Sequence, residues 1–529
     1  MTLLEIALLL LLGSIGAVAI APKLKIPNEL ILLSGSLALS LIPGLPNIQL
    51  QPDLVFSVFL PPILFAAAYF TSWRDFKRNI RPISLLAVGL VVFTTSAVAI
   101  VLKLLVPSVA WSTAFLLGAV VSPPDASAAV AITKKLGVPR RLQTIIEGES
   151  LINDATALVC FRFALAAAAT GAFSPWQASG KLIWVGGVGI AVGVAVAYAA
   201  MQLLKRVKDP HAETVLSFVT CFACYLIAEH LGASGVISTV AGGLYFGREL
   251  PQSGSAQTRV VAEAVWGAVL LIINGFVFTL IGLQLPQIFQ ALNAYGWVEL
   301  LILASVISLT VIVVRFLWVF PATHVPRWLF KSIRRHDPAP SWQALVVLSW
   351  TAMRGIVSLA AVLSIPELTA DGRPFPHREL VVFLAYAVIL VTLILPATTL
   401  PFLLPRLGIR AGDEHLQEET MARLESAKAA LQALERMKAE GRYPVTLLDF
   451  FKGRVERRLK AIETSLEPAA FSSLLGEEII QRRLLREMID AERKALVDLR
   501  THDKIHDEVF HLINRELDVE DLRLKTQRI

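Results

Sequence analysis

Gly118-Ala119-Val120-Val121-Ser122-Pro123-Pro124-Asp125 starts as an apolar helix and then stops being one. Consecutive prolines in mid-span remove two backbone donors and forbid regular helix across that point. Carbonyls freed at membrane depth persist only beside protein, water or an ion. Those around Val121, Pro123 and Pro124 are therefore candidate ligands for a hard cation, which prefers oxygen. Asp125 follows at once, where it offsets the positive end of a half-helix or accepts its N–H groups. A plain proline kink with Asp125 as its N-cap accounts for that residue equally well.

The surroundings make this a membrane problem. The 529-residue chain is 55% hydrophobic and only 17% charged, with mean hydropathy +0.63. Runs such as Ile183–Leu204 and Leu300–Phe320 can each cross a hydrocarbon core of about 30 Å. Spans are predicted near 2–21, 29–43, 54–70, 81–105, 111–133, 144–170, 181–204, 212–231, 234–247, 259–283, 296–320, 341–365 and 378–404. Alternate loops carry the basic residues, among them Arg74/Lys77/Arg78/Arg81, Lys134/Lys135/Arg140/Arg141 and Arg327/Lys331/Arg334/Arg335. The loops between them hold only Lys103, Lys181 and Arg373/Arg378. That alternation puts the N-terminus outside and the C-terminus in the cytoplasm. The net charge of +7 thus serves topology, and no nucleic-acid partner is expected. The N-terminus lacks the basic region of a cleaved signal. Cys160, Cys221 and Cys224 fall within spans and read as small packing residues rather than a disulfide framework.

A second interruption, Met353-Arg354-Gly355, breaks the twelfth span. The fifth and twelfth spans are each fifth in a group of six, with the seventh as linker. Interrupted helices in corresponding positions of two halves point to a transporter built from inverted repeats. The expected fold is all-α and polytopic, with about thirteen spans, two inverted six-helix repeats and crossed broken helices at 1–410. Beyond it, 411–529 turns rich in Glu, Lys, Arg, Leu and Ala, broken at Gly441, Pro444 and Pro468. That part is expected to be a cytoplasmic helical tail of three or four segments.

The sixth span opens with Glu149-Ser150-Leu151-Ile152-Asn153-Asp154. Ser150 and Asp154 are four residues apart and share a helix face. With Asn153 they form an oxygen-lined pocket for one small cation or one proton, both competing for the same charge. A permanent pair between Asp154 and Arg162 is the structural alternative. Glu149 and Arg354, each costly alone in a membrane, are expected to pair and hold the distorted helices together. Arg315, Glu229 and Glu263 also lie within or near spans, with partners unassigned. No His-Glu-x-x-His or Gly-x-Ser-x-Gly motif supports an enzyme, and no cofactor is expected. A membrane-anchored sensor with a regulatory tail is the alternative from another class, but leaves the buried charges without a purpose.

These strings, with Leu60-Pro61-Pro62-Ile63-Leu64-Phe65-Ala66-Ala67-Ala68 and Arg354-Gly355-Ile356-Val357-Ser358-Leu359, resemble the monovalent cation/proton antiporters over about residues 1–410. The resemblance is closest to the NhaP-like bacterial branch of the Na⁺/H⁺ exchangers. It implies a homodimer in a bacterial inner membrane and elevator-like alternating access. It further implies Asp154 as the carboxylate that binds cation and proton in turn, with Ser150 and Asn153 in support. Glu149 and Arg354 look like the family's buried ion pair. An Asn rather than an Asp at position 153 resembles the electroneutral members. Na⁺ is the expected cation, with Li⁺ or K⁺ as alternatives. Two departures stand out. The family's Ser-Pro-Thr-Asp-Pro is here Ser122-Pro123-Pro124-Asp125-Ala126, and Ala66 stands where many members carry an acid. The latter implies fewer fixed oxygens and more water at the site.

Overall fold

The computed structural model describes residues 3–24, 28–40, 55–125, 129–130, 133, 137–170, 175–207, 209–253, 255–283, 292, 296–369, 372–409, 414–441, 443–464, 468–502, 504 and 506–526. Ala126 lies outside the described residues. The chain divides into two units, Met1–Ala411 and Gly412–Ile529.

In the first unit, α1 (Leu3–Leu24) and α2 (Asn28–Ser40) precede α3, a π turn at Val55–Phe59 continued by Leu60–Phe70. Pro61 and Pro62 fall in the first turn of that α segment, where a helix has no use for the missing N–H groups. A short α4 (Trp73–Arg78) leads into α5 (Ile80–Leu105). Within α5, Leu85–Leu90 is π-helical, and the Trp318 indole donates to the Leu85 carbonyl (3.0 Å). Then follow α6 (Trp111–Val121), α7 (Arg140–Thr170), α8 (Pro175–Leu204), α9 (Pro210–His230), α10 (Gly235–Ser253), α11 (Ala256–Leu283) and α12 (Trp297–Leu329). The short α13 (Lys331–His336) precedes α14 (Trp342–Trp350), α15 (Ile356–Leu363) and α16 (Arg378–Arg406). Helix is thus present at each predicted span. Seven of the described helices are long and apolar enough to cross a membrane. The interruptions fall as the sequence requires: α6 ends at Val121 before Pro123, and 351–355 separates α14 from α15.

The helices of this unit pack as two groups. One comprises α1–α3 and α8–α11; the other comprises α5–α7, α12 and α14–α16. The glycine-rich α10 is central to the first. A Cβ at Gly247 would overlap the Tyr69 carbonyl of α3, and one at Gly193 of α8 would overlap the Ser238 carbonyl of α10. Small residues there let backbones approach where water supplies no drive for association. Cys224, facing Gly193, belongs to the same packing (Sγ to the Gly193 carbonyl, 3.7 Å). One ion pair runs from the second group to the first, Arg162 of α7 to Glu229 of α9 (3.1 and 3.2 Å).

The second group is held by buried charge. Arg315 of α12 makes a bidentate bond to Glu149 of α7 (Nη1–Oε1 2.5 Å, Nη2–Oε2 2.8 Å) and also donates to the Leu348 carbonyl of α14 (3.1 and 3.0 Å). Both side chains are only 2% exposed. This corrects the expected Glu149–Arg354 pair. The planar guanidinium of Arg315 meets the carboxylate with two parallel bonds and has donors left for a carbonyl. Arg354 is used elsewhere, on carbonyls of the interruptions.

At the end where α5, α7 and α12 meet the basic loops, Asp337 accepts from Arg81, Arg141 (2.5 Å) and Arg327 (2.9 Å). Burial alone would raise the Asp337 carboxyl, but the bond from Arg141 and the charges of Arg141, Arg327 and Arg81 outweigh it and hold it below its usual value.

The second unit consists of α17 (Glu414–Ala439), α18 (Val445–Thr464), α19 (Pro468–Thr501) and α20 (Asp507–Thr526). Gly441, at φ +64, and Pro444 turn α17 into α18, and Ala427 and Leu448 are buried in that hairpin. Ile489, Leu496 and Leu517 form a small core between α19 and α20, with Arg500 stacked over Phe510 (4.9 Å).

Arg315→Ala leaves Glu149 buried and unpaired, so thermal unfolding in detergent should show a loss of about 3–5 kcal/mol or failure to accumulate folded protein. Arg354→Ala exposes only carbonyls and should cost less, on the order of 1–3 kcal/mol. Asp337→Asn should lower stability at neutral pH by on the order of 1 kcal/mol. Because folding lowers the Asp337 pKa, its contribution is present above the unfolded value of about 3.9 and lost as pH falls through the folded value. The gap between wild type and variant in a pH series of melting curves should therefore close on acidification.

Candidate functional site

The site lies where the two interruptions meet α7. The Asp125 N–H donates to the Met353 carbonyl (2.6 Å), joining the two unwound segments directly. Arg354 donates through Nε to the Val121 carbonyl (3.1 Å) and through Nη1 to the Ala352 carbonyl (2.6 Å). Val121 is the last residue of α6, so a cation sits at the negative end of that half-helix. The converse holds for Asp125. Its carboxylate lies so close to Gly355 that a Cβ there would collide with it, and Gly355 is the N-cap of α15. Each broken helix thus lends its charge to an end of the other.

Asn153 and Asp154 of α7 face this crossing. Asn153 Nδ2 donates to the Pro124 carbonyl (2.7 Å). A carbonyl can only accept, so the amide orientation is fixed and Oδ1 is the atom left over. That Oδ1 is buried without a hydrogen-bond partner. Asp154 is 6% exposed and Asn153 fully buried. Among the described residues, no cation is paired with Asp154; Arg162, the alternative partner, is engaged by Glu229. Ser150 is half-buried one turn before Asp154. Pro123 and Pro124 are buried, and the Pro124 carbonyl is engaged by Asn153 while retaining a second lone pair.

The structure therefore brings Asp154, Asn153, Pro124, Asp125 and Arg354 to one place and moves Glu149 to Arg315. Sequence reasoning left Arg315 unassigned. Its one signal was a guanidinium in the middle of an otherwise apolar span, a signal Arg354 shares. Ala66 is fully buried in an apolar cluster with Phe65, Phe246 and Trp266. An orphaned amide oxygen beside a buried carboxylate suits a dehydrated monovalent cation, whose weak charge needs few anionic ligands.

The family model described as "Sodium/hydrogen exchanger, transmembrane" matches residues 2–406. An uncharacterized Na⁺/H⁺ exchanger of Mycobacterium tuberculosis is 32% identical over 501 residues, covering 94% of this chain and 92% of that protein. A "Sodium, potassium, lithium and rubidium/H(+) antiporter" of Bacillus pumilus is 33% identical over 416 residues, covering 75% of this chain and 61% of its own length. The sodium proton antiporter MjNhaP1 from Methanocaldococcus jannaschii, solved at pH 8, superposes with a TM-score of 0.60 at 19% identity. That likeness covers 76% of this chain and 99% of the solved one and concerns the fold. The chain belongs to the sodium/hydrogen exchanger family, integral membrane transporters that exchange monovalent cations for protons.

Proposed function

We propose that the chain exchanges one Na⁺ for one H⁺, with Asp154 binding the two in turn. The observation that carries this is the distribution of charge around the crossing. Glu149 is neutralised by Arg315. Asp125 is compensated at the N-terminal end of α15, and Arg354 at the C-terminal end of α6. These charges stay constant through a cycle. Asp154 is the carboxylate left to be neutralised, by a cation or by a proton, so each passage carries the same net charge. An electroneutral one-for-one exchange follows.

In this reading Asp154 supplies the charge of the cation site. Asn153 Oδ1 and the Ser150 hydroxyl supply neutral oxygens, and the carbonyls of Pro123 and Pro124 line its other side. The Pro124 carbonyl acts mainly through Asn153, whose amide it orients. The two helix groups are the two moving parts of an elevator. The group carrying Asp154 is tied into one body by Arg315, Arg354 and Asp337, and slides against α1–α3 and α8–α11. The corresponding positions of the broken helices support two inverted six-helix repeats. The protein works as a homodimer in a bacterial inner membrane, with its N-terminus outside and residues 411–529 in the cytoplasm, as the basic loops require.

A second reading, K⁺/H⁺ exchange, is favoured by the Bacillus relative, whose name includes potassium, lithium and rubidium. The same oxygen types serve Na⁺ and K⁺, so cavity size and ligand field decide.

Proteoliposome exchange separates these readings. Proton flux driven by Na⁺, Li⁺ and K⁺ in turn, with membrane potential clamped and unclamped, should be greatest for Na⁺ and indifferent to the clamp. A clamp-dependent rate would sink the one-for-one stoichiometry. Asp154→Asn should abolish cation-driven proton flux while leaving insertion and melting temperature near wild type. Flux persisting in that variant would overturn Asp154 as the carrier. Asn153→Ala loses both the orphaned oxygen and the Pro124 bond, and should weaken apparent cation affinity by about tenfold, on the scale of one lost polar contact to a charged group.

A further inference from the structure

Leu447, Phe450, Phe451, Arg454, Arg457 and Arg458 of α18 recur at separations of three, four and seven, and so share one face. That face is exposed: Leu447 is 47%, Phe450 62% and Phe451 42% accessible, and the three arginines are exposed as well. The opposite face, with buried Leu448, packs on α17. The acids are directed elsewhere. Asp449 is bound by Lys438 of α17 (2.9 Å), and Glu456 lies beside Lys452 (3.9 Å), which also approaches Glu435 of α17 (3.8 Å). The outer face therefore carries apolar groups followed one turn later by unscreened positive charge.

We infer that this face of α18 docks on the anionic surface of the lipid bilayer. The two Phe rings and Leu447 enter the headgroup boundary, and Arg454, Arg457 and Arg458 engage lipid phosphates. Exposed aromatic and aliphatic side chains that can enter the headgroup boundary are what holds a helix at a membrane surface, and arginines within a turn of them add attraction to anionic lipid. A cytoplasmic leaflet rich in anionic lipid supplies the complementary charge. A second copy of the chain fits less well, because two-fold pairing on this face would gather the arginines of both copies in one interface. The inference rests on the cytoplasmic placement of the tail. Membrane tethering through α16 would keep the tail at high effective concentration near that leaflet.

The arginines themselves report on the docking, since trypsin cleaves after them. Full-length protein in nanodiscs with about 30% phosphatidylglycerol should be cleaved after Arg454, Arg457 and Arg458 at least about fivefold more slowly than in pure phosphatidylcholine, on the scale of one basic residue engaged at such a surface. Cleavage after Arg436 of α17 should not change, and high salt should abolish the protection. Phe450→Ser with Phe451→Ser alters exposed side chains only and should remove the protection without lowering the melting temperature; Leu447→Ser should weaken it. Cleavage indifferent to lipid charge overturns the inference. So does protection in detergent that grows with protein concentration, which would assign the face to a second copy. None of these measurements involves transport, so they stand or fall apart from the exchange reaction.

Discussion

Two helices stop in mid-membrane, and the carbonyls they leave behind have no water to bind. Satisfying those groups organises everything around the site. The Met353 carbonyl takes the Asp125 N–H, the Val121 and Ala352 carbonyls take Arg354, and the Pro124 carbonyl takes Asn153. A fifth, Leu348 near the end of α14, is taken by Arg315. Asn153, Arg315 and Arg354 thus substitute for the helical ladder that is broken at 122–125 and at 351–355. In hydrocarbon an unsatisfied peptide group costs several kcal/mol, so these are structural necessities before they are functional ones.

The same bonds explain why the site is preorganised. The Asn153 amide nitrogen is anchored on the Pro124 carbonyl, so its oxygen Oδ1 has a fixed position and no hydrogen-bond partner in the protein. Arg354 cannot approach Asp154 as a counter-ion without releasing two carbonyls. Arg315 is likewise committed to Glu149 and Leu348. Both guanidinium groups near the site are thereby engaged away from Asp154; in the proposed exchange this removes two competitors of the transported ion.

Much of this was legible in the sequence because it follows from one-dimensional rules. Apolar runs gave the spans, the two prolines gave the first interruption, and the spacing of Ser150 and Asp154 gave a shared face. The partner of Glu149 was not legible. Arg315 and Arg354 are both lone cations in apolar helices, and choosing between them requires knowing that 351–355 unwinds with carbonyls pointing inward. The backbone conformation made Arg354 a carbonyl donor, and that released Glu149 to Arg315. The surroundings of Ala66 were not legible either: it packs in an apolar cluster with Phe65, Phe246 and Trp266. Sequence shows which group is missing and says little about what fills the space.

Chemistry and stability are separable here because they use different charges. In the proposed exchange Asp154 is neutralised in turn by cation and proton, whereas Glu149 keeps Arg315, and Asp125 and Arg354 keep the helix ends at the interruptions. Had Glu149 paired with Arg354, as its motif suggested, the interruption of the twelfth span would have lost the cation that holds the Val121 carbonyl, and α6 would have no counter-charge at its end. Placing the ion pair one helix away, on α12, leaves the crossing with a balanced anion and cation of its own. In the proposed exchange the crossing then carries a single adjustable charge, the condition for one cation and one proton to exclude each other.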